Sequence, residues 1–125
     1  KANDELGRDI AMHVTAIAPM VVESSEVAAD VLSKEREIYT SQAADSGKPP
    51  EIVEKMVEGR VRKFLQEISL VDQAFVKDGN TSVGKLLADD GNSALRFVRF
   101  EVGEGIEVEA TDFAAEVAAQ ISGEA

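Results

Sequence analysis

The chain has 125 residues, 44% of them hydrophobic and 30% charged, with 24 acidic against 13 basic side chains and a net charge of -11. This is the length of one ordinary domain able to bury a core, and so apolar a chain is not a disordered one. The surplus negative charge repels phosphates and argues against direct binding of nucleic acid, while the lack of cysteine removes disulfides, thiol nucleophiles and thiolate zinc sites.

No apolar run approaches the length of a membrane span and no signal peptide is read at the start, so a cytoplasmic protein without membrane contact is expected. With no Trp, one Tyr and one His, the chain is also poor in the residues that usually carry catalysis. A protein that is not an enzyme is the expectation.

Asn3-Asp4-Glu5 leads into Leu6, Ile10, Val14 and Ile17, a helical spacing that Asn3 or Asp4 can cap. Pro19 ends that helix, Met20-Val21-Val22 is a short extended link, and Ser24 or Ser25 is placed to cap the next helix. Val27, Val31, Leu32, Ile38, Tyr39 and Ala43 form its apolar stripe. Ser46, Gly47 and the Pro49-Pro50 pair stop it and start another. Ile52, Val53, Met56, Val57, Val61, Phe64, Leu65 and Ile68 then recur at spacings of three and four. Two long helices joined by so short a turn run antiparallel. They are expected to form a projecting hairpin.

Beyond the hairpin, Ser69 to Asp78 reads as a connector, and Asp78-Gly79-Asn80 as a turn. Thr81 or Ser82 caps a short helix through Val83, Leu86 and Leu87, which stops near Gly91. Ala94 to Val102, ALRFVRFEV, has the alternation of a strand, closed by Gly103 and Gly105, with Ile106-Glu107-Val108 available to pair locally. A lone strand leaves its backbone groups unpaired. The sheet is therefore expected to be completed by a missing N-terminal half or by another chain. Thr111 opens a last helix, TDFAAEVAAQI.

Few residues stand out chemically. His13 lies among apolar neighbours in IAMHVTAIAP, where a packed histidine without special role is the plain reading. Met12 and Met20 read as core filler. Gly103-Glu104-Gly105 and Gly47-Lys48 each lack the rest of a phosphate loop, so no nucleotide, cofactor or metal site is assigned. Glu51 with Lys55 and Glu58 with Arg62 are spaced as weak ion pairs along one helix.

IAMHVTA, SGKPPEIVEKMVEGR, the KF and EISL that follow, SVGKLL and RFEVGEGIE with TDFAAEVAA together resemble the C-terminal half of bacterial elongation factor Ts, over nearly the whole chain. The resemblance implies a core subdomain at residues 1–24 and 70–110, an inserted coiled-coil hairpin at 25–69, and a C-terminal helical module at 111–125. It also implies binding to elongation factor Tu and a part in release of GDP from it, by protein–protein contact and without bond chemistry. His13, Met12, Met20, Asp112 and Phe113 are then the candidate partner contacts, with His13 at a surface facing the partner.

The family's exchange motif, Thr-Asp-Phe-Val-Ala, belongs to a part that is absent here. Thr111-Asp112-Phe113-Ala114-Ala115 is similar to it but stands in the C-terminal module, so Phe113 is not assigned as the nucleotide-expelling residue. A structural or self-associating module built on the hairpin is the alternative from a different class. The expected fold class is α+β: mostly helical, with a small antiparallel sheet left incomplete and a protruding antiparallel helical hairpin.

Overall fold

A computed structural model describes residues 3–106. Helix α1 (Asp4–Ile17) begins where the Asn3 side chain accepts the Leu6 N–H at 3.1 Å, with Asp4 and Glu5 at the positive end of the helix dipole. It closes at Ala18, which takes a left-handed conformation with φ of 54° so that its N–H reaches the Val14 carbonyl. Pro19 follows.

The chain then passes into the hairpin beside the strand by which it later leaves. Met20 and Val21 N–H donate to the Ile68 carbonyl at 2.9 and 3.3 Å. Leu70 N–H donates to Val21 at 2.9 Å and Val71 N–H to Val22 at 3.2 Å. Val21 and Ser69 make an isolated parallel bridge at this crossing. Four backbone bonds thus tie the hairpin root to the residues that precede it.

The hairpin consists of α2 (Ala29–Ala44) and α3 (Pro50–Ile68). The seam between them buries Ala43, Val57 and Val61, with Leu32, Tyr39, Val53 and Leu65 half-buried around it. Gly47 turns the tip at a φ of 66°, which glycine adopts without strain. Two sequence expectations change here. Ser24 and Ser25 lie in a 3₁₀ turn (Ser24–Glu26), and α2 starts at Ala29, where Ala28 at the N-cap position offers no side-chain cap. Ile38 and Ile52, assigned to the apolar stripes, are each 47% exposed, because two helices alone bury only a narrow seam. Glu58 engages Arg36 across the hairpin. Further along, Arg60 lies over the Tyr39 ring at 5.9 Å. Burial, with Glu35 beside it, raises the Tyr39 phenol above its ordinary value, against the opposing pull of Arg60.

After a second 3₁₀ turn (Leu70–Asp72), β1 (Ala74–Phe75) pairs antiparallel with β2 (Asp78–Ser82), with an irregular register between the Phe75–Asp78 and Ala74–Ser82 pairs. Val76 and Lys77 make the turn, so Asp78-Gly79-Asn80 is strand where a turn is expected. Ser82 caps α4 (Val83–Asp89) by accepting the Lys85 N–H at 3.1 Å. Helix α4 packs so closely on the 3₁₀ turn that a Cβ on Gly84 would stand 2.8 Å from the Val71 carbonyl oxygen. Leu6, Val14, Leu70, Phe75, Val83 and Leu87 form the core between these elements.

The clearest departure is the segment 94–102, expected as a strand. Among the described residues it pairs with no strand. Ala94 and Phe97 pack against the core, while Leu95, Val98, Phe100 and Val102 are exposed, Phe100 at 91%. Its alternation is that of a strand, but alternation only forms a ladder when a neighbour supplies the opposite hydrogen bonds. Among the described residues the sheet is the two-stranded, open one at β1–β2. Mostly helical with that small antiparallel sheet, the fold is α+β.

Candidate partner interface

The side of α1 that bears His13 meets the β1–β2 turn. Lys77 Nζ reaches the Asp9 carboxylate at 2.6 Å, and the Val76 N–H donates to His13 Nδ1 at 3.1 Å. Because Nδ1 accepts, the ring proton belongs on Nε2, which donates to Gln73 Oε1 at 2.9 Å. Gln73 Nε2 in turn donates to the Glu67 carbonyl at 2.7 Å. The imidazole also stacks on Phe75, ring centres 6.0 Å apart. His13 is wholly buried, so it does not present a surface to a partner directly. Any influence it has outside runs through the β1–β2 turn and the hairpin root.

Met12 and Met20 are 43% and 64% exposed. They are not core filler: Met12 faces away from the side of α1 that packs, and Met20 sits on the crossing outside the core. Ile17, 46% exposed, joins Lys63, Gln66, Glu67, Gln73 and Ala74 around a groove of about 370 Å³ at the hairpin root. A second groove, of about 500 Å³, runs along the hairpin with Val53 and Val57 on its floor and Arg36, Lys48, Glu54 and Glu58 among its lining. Asp112 and Phe113 lie outside the described residues.

Gln73 is the residue that sequence reasoning passes over. A glutamine in a connector carries no pattern, and only the burial of His13 creates the need for its amide. Among the described residues no three His, Asp or Glu side chains converge as a metal site, and no helix is long and apolar enough to cross a membrane. What the surface offers is exposed apolar side chains beside fixed charges, the means of a protein contact.

Residues 1–104 match the family described as Elongation factor TS. The chain belongs to that family. It is 58% identical over 121 residues to elongation factor Ts of Hahella chejuensis, covering 97% of this chain and 42% of that protein. Elongation factor Ts of Methylococcus capsulatus is 61% identical over 117 residues, 94% of this chain and 40% of its own length. That of Francisella tularensis subsp. novicida is 54% identical over 121 residues, or 97% and 42% of the two chains. The chain thus spans about two fifths of the length of these elongation factor Ts relatives.

Proposed function

We propose that this chain is the C-terminal part of an elongation factor Ts, acting in translation by binding elongation factor Tu and taking part in the exchange of its GDP. The observation that carries the reading is the match of 97% of the chain, at 58% identity, to a protein of that name. The proposed division is a core subdomain at residues 1–24 and 70–110, a hairpin inserted at 25–69, and a helical module at 111–125. Met12 and Met20 are the proposed contacts from the core, with His13 supporting the adjoining turn from inside, and Asp112 and Phe113 the proposed contacts from the C-terminal module.

Exchange of this kind requires no bond chemistry. A partner that binds the nucleotide-free GTPase more tightly than the GDP-bound form weakens GDP by the same factor, since the two affinities are linked. The chain is then a binding protein, not an enzyme, working where translation does, in the cytoplasm, with no contact to nucleic acid or membrane. The exposed apolar segment 94–102 fits a strand completed by the rest of the protein or by another chain.

Competition tests this. The chain, added to elongation factor Tu and an intact elongation factor Ts, is expected to slow release of labelled GDP by occupying the partner. By itself it is expected to accelerate release little, since Thr-Asp-Phe-Val-Ala does not occur in its sequence. No slowing at a large excess of chain would overturn the proposal.

A further inference from the structure

His13, Ser69 and Gln73 are the buried polar residues among those described, and all three sit where the hairpin joins the core. Two of them belong to one continuous chain of hydrogen bonds. It runs from the Val76 N–H to His13, from His13 to Gln73, and from Gln73 to the Glu67 carbonyl. Glu67 lies in the last turn of α3, where helix carbonyls have no partner within the helix. Gln73 therefore caps the hairpin's second arm from the core side, and His13 holds Gln73 in place from α1.

Between the two ends of that cap lies Ser69, the residue at which α3 gives way to extended backbone (φ -98°, ψ 119°). Its hydroxyl is buried without a hydrogen-bond partner. A chain of satisfied polar groups beside an unsatisfied one marks a place where orientation is fixed by specific bonds, since apolar packing is non-directional.

We propose that His13 and Gln73 form a latch that sets the angle of the helical hairpin on the core, with Ser69 at the pivot. The four backbone bonds of the crossing keep the root attached. The latch removes the remaining rotation by joining α1, the β1–β2 turn and the end of α3. Breaking it frees the hairpin to swing without unfolding either part. Every residue of the latch belongs to this chain, so it needs no partner to form.

The chain has no cysteine, so two spin labels can be placed without background, at Arg8→Cys on α1 and Asp45→Cys at the hairpin tip, both exposed. In the otherwise unaltered chain the distance between them is expected to be a single narrow distribution. Gln73→Met keeps the side-chain volume and removes both bonds, and His13→Phe keeps the stack on Phe75. Each is expected to widen the distribution about twofold while unfolding remains cooperative. Leu6→Ala, a core change away from the latch, is expected to lower the melting temperature with no widening. An unchanged width in either latch variant, or equal widening in Leu6→Ala, overturns the proposal.

Where a variant does not fold, hydrogen exchange on the unaltered chain decides. The Val76 amide should exchange in one unit with those of Leu70 and Val71, and a Val76 amide that opens independently about tenfold faster would contradict the latch.

Discussion

The hairpin and the core are built on opposite principles. The hairpin seam buries Ala43, Val57 and Val61, contributed by two helices adjacent in the chain. The core buries Leu6, Val14, Leu70, Phe75, Val83 and Leu87, drawn from both sides of that hairpin in sequence. One is a local contact closed by a five-residue turn. The other can form only after the ends of a long insertion have been brought together, at the entropic cost of closing a large loop. The hairpin projects surface, whereas the core fixes polar geometry. Substitutions should therefore cost less on the hairpin than in the core.

The sharpest test of the comparison pairs one truncation in each region. Leu70→Ala removes a 1% exposed side chain from the core and should cost about 3–5 kcal/mol in a denaturant titration, with both regions lost together. Val57→Ala, from the thin seam, should cost about 1–2 kcal/mol, and hydrogen exchange should place the loss in the hairpin alone. Global unfolding by the hairpin change would break the distinction.

Gly84→Ala comes next. Its methyl carbon would meet the Val71 carbonyl oxygen at 2.8 Å, so α4 must move off the 3₁₀ turn, at about 1–3 kcal/mol by thermal melting. Gly59, on the hairpin, has open space around it, and there the same substitution should stabilise by about 0.5–1 kcal/mol.

Ser69→Ala acts in the other direction. It removes a buried hydroxyl without a partner and should raise stability by about 1 kcal/mol. The smallest effect belongs to the hairpin surface. Arg36→Ala breaks the pair with Glu58, both about half-exposed, and should cost less than about 1 kcal/mol, a cost that shrinks further in high salt.

The same contrast governs what sequence reasoning could reach. The hairpin was legible because Val53, Val57, Val61 and Leu65 repeat at helical spacing and Pro49-Pro50 punctuates them. The caps at Asn3 and Ser82 were legible because their hydrogen bonds are made three residues away. Met12 departs from its reading as core filler because a helix reports its period more clearly than which of two apolar flanks faces inward. Ile38 and Ile52 belong to an apolar stripe wider than two helices can cover.

The segment 94–102 misled for a related reason: its alternation was real, but a ladder depends on a partner that a single stretch cannot display. Strands β1 and β2 leave little trace in the sequence because Val76-Lys77 carries none of the glycine or asparagine that advertises a tight turn. Gln73 was invisible because its role depends on His13, 60 residues away.

The proposed function stands on the affinity of this chain for elongation factor Tu in its nucleotide-free and GDP-bound forms, measured side by side by calorimetry. Tighter binding to the nucleotide-free form is the expected result, with the preference equal to the factor by which the chain weakens GDP. Equal affinity for the two forms, or binding to neither, would overturn the proposed function.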